Sequence, residues 1–537
     1  ADGTLALSDI PYLGNGVGCT GRICQTGGDL LVSNAVYMGV ATNSFGLYHF
    51  EGGNARIDGS VYLGYSAGGS GRMIVDGSGL FVRDNVVLGL GASSTGELVV
   101  AGGSFVRPNR QEIGTGHNSL GRLCVTGGEL TFSNEVHVGK AASSFGGVYL
   151  TDGVLASYGN SHGYCLGYVS GATGELVVAG GQLRALNRYS ILAGMGSNAV
   201  GCVTISGGTN DIRSLRIGHM GGEGLLRITG GETYVTNEVD YTFTFGNAAV
   251  SPLARFELAG GVLTTRLISG GSGYTEALLD GGVLRCAYDT TAFFQLFSLA
   301  TLTDRGAIID TDGYTVKVYQ KFDDEPGYAG SFTKRGAGTL TLASGANTFT
   351  GRVTVTGGEL STGVGGRIYL NGGAVIEEDA VLNLSYGALS AFTTSPGTVS
   401  RIDGALVLPV SDGTLTNGAG ATICGSGVIT GNVVFASGSA WAHDKTWGMA
   451  SDGPLLVTGN TVIEEGATIA LSGYSVDDLM AGVPVLQAEG YANIQVAGHI
   501  PVTLDGASHI YWRAKVSNGG KTLTASFIPM GTLIRLF

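Results

Sequence analysis

Residues 71–95 read GRMIVDGSGLFVRDNVVLGLGASST, and this stretch decides the fold. With Gly71 as position 0, apolar residues come in pairs two apart: Met73 and Val75, Leu80 and Val82, Val86 and Leu88. Residues two apart share one face of a strand, so each pair marks a short strand with one apolar side. Gly77 and Gly89 fall between pairs, where the backbone must turn. No apolar spacing of three or four residues suggests a helix. The stretch is therefore three short strands joined by tight turns.

The same unit lies on both sides. GRICQTGGDLLVSNAVYMGVATNSF begins at Gly21 and GLYHFEGGNARIDGSVYLGYSAGGS at Gly46. GELVVAGGSFVRPNRQEIGTGHNSL begins at Gly96 and GRLCVTGGELTFSNEVHVGKAASSF at Gly121, so the spacing is 25 residues throughout. Small insertions and deletions carry the series on to Gly147, Gly174, Gly201 and Gly224. Three-strand units of this length, repeated in tandem, predict an all-β chain: a right-handed parallel β-helix, or β-solenoid, of about 25-residue coils. The rhythm divides the chain. A regular β-helix spans 1–285. An interruption spans 286–330, with TTAFFQLFSLATL and the acidic KFDDEPGYAG. An irregular β-helix follows over 331–473, and a small C-terminal β module over 474–537.

Composition agrees. Glycine supplies 95 of 537 residues, far above the usual share of about 7%. Prolines number only 10, which excludes a collagen helix, and 43% apolar residues exclude disorder. The balance of 29 Lys+Arg against 42 Asp+Glu gives a net charge of −13. That argues against nucleic acid as a partner, which needs clustered basic charge. No apolar run is long enough for a membrane-spanning helix. The start, Ala1-Asp2-Gly3, reads as a mature N-terminus after signal cleavage.

Position 13 carries Asn34, Asp84, Asn109, Asn134, Asn160, Asn187 and Asn237, broken by Gly59 and Ser214. Asn and Asp suit tight turns, and stacked coils place equivalent side chains about 4.8 Å apart. The row therefore reads as a structural amide ladder. It is too neutral for a run of calcium sites. The seven cysteines form neither a disulfide framework nor a zinc motif, and only Cys19 and Cys24 are close enough in sequence to pair.

Residues 334–362, KRGAGTLTLASGANTFTGRVTVTGGELST, resemble the autotransporter-associated β-strand repeat of bacterial secreted proteins. They share its G-x-G-T-L-T-L strand, its N-T-F-T-G turn and its V-x-x-G-x-L strand. Upstream, AIIDTDGYTVKV at 307–318 is similar to the segment that precedes this repeat. Downstream, GSGVITGNVVFASGSAW at 425–441 and GPLLVTGNTVIEEGATIAL at 453–471 are similar to its terminating segments. The resemblance implies export, a passenger-type β-helix and a secreted or cell-surface location. It implies no particular activity. Too few residues follow for a membrane barrel.

No catalytic constellation emerges, so the chain reads as a non-enzyme without cofactor or metal. Asp323, Asp324 and Glu325 read as a solvated loop. Asp304, Asp310 and Asp312, near Arg305, read as turn residues. His49 and His137 fall on outward positions of different faces and make no triad with a serine. Tyr37 and Tyr62 share outward position 16 and read as cross-coil packing. The expected role is an extracellular structural or adhesive solenoid that self-assembles head to tail into filaments or a surface layer. The alternative is a protein that binds or degrades polysaccharide.

Overall fold

Each apolar pair of the 71–95 unit becomes a strand: Ser70–Val75, Gly79–Val82 and Val86–Leu88. Every strand lies parallel to its equivalent one coil on. Gly71 meets Gly96 and Met73 meets Leu98, Leu80 meets Phe105, and Val86 meets Gln111. The inward residues thus stack in continuous rows, and Met73, Leu98, Leu123 and Val148 are all fully buried. In the computed structural model strands take 56% of the chain and helix 1%, in a parallel β-solenoid of about 18 turns. It describes residues 3–77, 79–107, 109–159, 161–235, 243–246, 253–345, 347–387, 389–409, 413–445, 454–489 and 493–527.

The leading glycines form one of these rows, and their packing explains them. A Cβ on Gly96 would lie 2.3 Å from the Gly89 nitrogen and 2.4 Å from the Leu63 oxygen. No side chain fits there. Gly89 turns the chain with φ of 70°, a left-handed conformation that favours glycine. The stacked partner of Gly121 is Gly146, not Gly147, and Gly146 in turn meets Gly174. Two adjacent glycines hid a one-residue slip, which in a strand exchanges the inner and outer faces.

Not every coil keeps three separate strands. Thr20–Val32, Phe45–Ile57, Leu120–Phe132, Phe145–Ser157 and Glu223–Val235 each run through two of them. Their ladder slips beside the glycine pair, between Val125 and Thr126 and again between Thr126 and Glu129.

The chain forms two units, residues 1–285 with 294–300 and residues 286–293 with 301–537. In the first, Phe256 packs against Phe245 and Phe294, with ring centroids 5.6 and 6.4 Å away. In the second, the expected interruption at 286–330 keeps its ladder. Ala307–Asp310 pairs with Phe332–Arg335, and Thr301 and Leu302 pair with Asp323 and Asp324. The apolar run still supplies inward residues such as Leu302, fully buried. What it lacks is the glycine punctuation by which coils are recognised in sequence.

The last coils end differently. A short helix, Val476–Ala481, starts at Ser475, whose hydroxyl accepts from the Asp478 amide. Val483–Ala488 is parallel to Leu455–Val457 on one edge and antiparallel to Thr522–Phe527 on the other. Pro501–Leu504 likewise takes Thr468–Ser472 in parallel and Ala507–Ser517 in antiparallel. A hairpin thus occupies the free edges of this coil.

Candidate functional site

Three members of the position-13 row, Asn34, Asn109 and Asn187, reach backward to the backbone of the preceding coil. Asn34 Nδ2 donates to the Ser8 carbonyl at 2.6 Å and Asn187 Nδ2 to that of His162 at 3.2 Å. Asn109 Nδ2 lies 3.5 Å from the Arg83 carbonyl, at the limit of a hydrogen bond, while Asn134 Oδ1 accepts from the Glu135 amide at 2.9 Å. Asp84 is half-buried. Asn160 and Asn237 lie outside the described residues. Asn187 is buried, whereas Asn34 and Asn109 are exposed.

A buried polar row exists at position 23 instead. Ser44, Ser94, Ser119 and Ser144 are nearly inaccessible. Each follows a left-handed residue: Asn43, Ser93, Asn118 and Ser143 have φ between 54° and 58°. Ser44 Oγ donates to the Ala41 carbonyl at 2.7 Å, and Ser119 Oγ accepts from the Gly116 amide at 3.0 Å. These hydroxyls close the turn at the corner of the coil. Ser119→Ala is expected to lower stability by about 1–2 kcal/mol, because the buried Gly116 amide loses its partner. Asn109→Ala should stay within about 0.5 kcal/mol of wild type. Urea unfolding of both variants checks this; equal midpoints would refute it.

Outward on the third strand, the tyrosines form a stack longer than the sequence reading found. Tyr12, Tyr37 and Tyr62 have successive centroids 5.4 and 4.9 Å apart, and Tyr65 stands edge-on to Tyr37 at 4.7 Å. Tyr12 stands in register with Tyr37, one coil before it. The inner ring faces are covered by one another, so the stack supports coil packing more than it offers a platform.

Further along, Glu135 gathers four groups. Its Oε1 accepts from Ser161 Oγ at 2.8 Å and faces His162 Nδ1 at 3.2 Å. Its Oε2 faces His137 Nε2 at 2.9 Å and the Arg110 guanidinium at 3.4 Å. Burial alone would raise the Glu135 pKa, but the hydrogen bonds from Ser161, His162 and His137 outweigh it and hold the group at about 2. His137, expected to be outward and accessible, is 2% exposed beneath Tyr168, whose ring stacks on it at 3.9 Å. Burial lowers its pKa against the pull of Glu135. All the acceptor positions of that carboxylate nearest to protein are taken, which leaves no base poised for chemistry. His49 instead pairs with Glu51 at 3.0 Å.

The acidic cluster is not a solvated loop. Asp323 and Asp324 form a half-buried strand. Asp324 Oδ1 accepts from the amides of Gly330 and Thr350 at 2.7 and 3.0 Å, and Glu325 Oε2 from Thr301 Oγ1 at 2.5 Å. Asp310 Oδ1 accepts from the amide of Asp312, itself left-handed with φ of 48°. These carboxylates hold turns together. Arg305 and Asp304 meet through backbone, the Arg305 amide donating to Asp304 Oδ1 at 3.1 Å. All seven cysteines are free, and Cys19 and Cys24 do not pair. Among the described residues no group of three or more His, Cys, Asp or Glu could hold a metal ion, and no helix is long and apolar enough to cross a membrane.

A concavity lies in the second unit. A groove of about 710 Å³ follows the corners that lead into successive strands, with Asp304 at one end and Thr398 at the other. Its floor includes Gly351 and Gly372. Its lining mixes polar groups, among them Asp304, Arg352, Asn371 and the hydroxyls of Thr354 and Ser395, with apolar surface in about equal measure.

Residues 332–361 of this unit match the passenger-associated-transport-repeat. The chain is 26% identical over 308 residues to the adhesin BmaC autotransporter of Brucella suis biovar 1 (strain 1330). That match covers 55% of this chain but only 8% of the relative. No solved structure matches. The ladder makes the chain a parallel β-solenoid, and the repeat at 332–361 together with the likeness to an autotransporter adhesin supports a secreted or cell-surface location.

Proposed function

We propose that the chain is an adhesive or structural element at the cell surface, acting through the sides of its solenoid and without catalysis. The likeness to an adhesin over 308 residues carries this reading. Two features support it. The acidic residues that a polysaccharide-cleaving enzyme would need are engaged in turns and ladders, as with Asp324 and Glu325. The outer faces are ordered arrays of charge, with Arg72 paired to Glu97 at 2.8 Å and Arg227 to Glu257 at 2.5 Å one coil apart. Such arrays present a repeating surface to a partner.

Head-to-tail assembly needs open ladder edges at both ends of a rod. The edges of Val483–Ala488 and Pro501–Leu504 already pair with hairpin strands, which favours side-on contact. The test is retention. Beads coated with the purified chain should bind animal cells or polysaccharide-coated surfaces several-fold above albumin-coated beads. The same chain should release no new reducing ends from the polysaccharides it holds. Retention at the albumin level on every surface would overturn the adhesive reading, and turnover would overturn the non-catalytic one.

A further inference from the structure

We propose that the corner groove of the second unit binds an oligosaccharide carrying isolated acidic groups, such as a uronic-acid-containing glycan; this rests on the adhesive reading and names its ligand. Asp304 precedes the strand Ala307–Asp310, Arg352 precedes Val353–Val355, Asn371 precedes Ala374–Ile376, and Ser395 precedes Val399–Ile402. These strands stack through Phe332–Arg335: Ala307 meets Phe332, Phe332 meets Val353, Val353 meets Ala374, and Val375 meets Arg401. The groove therefore crosses five consecutive coils, roughly 19 Å at about 4.8 Å per step. That shape admits an extended chain and is too long for a single small metabolite.

Its chemistry narrows the ligand. Gly351 and Gly372 in its lining carry no side chain because a Cβ would strike the backbone of the coil below, at 2.5 Å from the Ala329 oxygen for Gly351. Arg352 is exposed, and among the described residues its side chain makes no ion pair or hydrogen bond. The Asn371 amide and the Thr354 and Ser395 hydroxyls are likewise without side-chain partners there. Hydroxyls and an amide in a row match the hydroxyl groups of sugars, each able to donate and accept. A lone guanidinium suits one carboxylate or sulfate, which it grips with two parallel hydrogen bonds. Asp304 in the same groove and a net charge of −13 disfavour a densely charged polyanion.

The experiment is calorimetric titration of the full chain with three oligosaccharide sets: neutral, neutral alternating with uronic acid, and heavily sulfated. Binding should be tightest to the alternating set. Arg352→Ala should weaken that binding about tenfold or more, and Asn371→Ala by a smaller factor, with circular dichroism unchanged. Binding that ignores Arg352→Ala, equal affinity for neutral and uronic sets, or preference for the sulfated set would each overturn the proposal. The bead assay separates the two readings. If wild type and Arg352→Ala beads are retained equally, adhesion stands and the groove assignment falls. If neither is retained while the titration succeeds, the groove stands and the adhesive role falls.

Discussion

Gly96→Ala is expected to destabilise the solenoid by about 3 kcal/mol or more, far beyond the effect of adding a methyl group at an ordinary site. The new Cβ would sit 2.3 Å from the Gly89 nitrogen, 2.4 Å from the Leu63 oxygen and 2.7 Å from the Leu88 Cα. All three are backbone atoms, so no rotamer change relieves the clash. The coil containing Gly96 would have to lift from the one beneath, and in a stack each coil is held only by its neighbours. Gly27→Ala is the control, since a Cβ there meets nothing within 4 Å. Its unfolding free energy in urea should change by no more than about 0.5 kcal/mol. If the two variants unfold alike, steric exclusion does not explain the glycine row.

The second large effect depends on pH. Lys334 is fully buried, and its Nζ donates to the carbonyls of Gly336 and Gly357 at 2.5 and 2.7 Å. Burial pulls its pKa from 10.5 down to about 8, against the opposing influence of Asp310, Cys286 and Glu359. Between these values the unfolded chain holds a proton that the folded chain has released. Stability attributable to this residue therefore rises with pH across that window, and below about 8 the cost of the buried charge is fully present. Lys334→Met removes the titration and serves as the reference. From pH 7.5 to pH 10, wild type should gain about 2 kcal/mol relative to the variant. A difference that is flat with pH would show that Lys334 stays charged or uncharged throughout. The comparison is needed because buried tyrosines such as Tyr48, whose pKa burial raises, push stability the other way at high pH.

The coil was legible because its two strongest signals are local and periodic. Glycine is obligatory where backbones touch, and inward apolar pairs alternate with period two. Both survive in a single sequence, and Gly71, Met73 and Val75 lie where their spacing puts them. The reading slipped where residue type was ambiguous. Gly146 and Gly147 are indistinguishable on paper, and only the ladder chooses between them. Serine at position 23 does not stand out because serines and threonines fill that whole turn, whereas asparagine at position 13 stands out although Asn34 and Asn109 are exposed. The groove was invisible for another reason. Asp304, Arg352, Asn371 and Ser395 are far apart in sequence, in coils whose lengths vary. Their alignment exists only after the strands have paired.

From Gly21 to Gly146 the stacked leading glycines are separated by a constant 25 positions, as with Gly71 and Gly96 or Gly96 and Gly121. That constancy bears on how such a gene can change. A tandem duplication one coil long, wherever its ends fall, returns every side chain to its own row, and each new contact copies an existing one. An insertion of an odd number of residues within a strand must be looped out or it exchanges the inner and outer faces of the residues beyond it. Length is then the property this architecture alters most freely, by whole coils. The inward rows and the leading glycines accept almost no change, because each residue there is constrained from above and below at once.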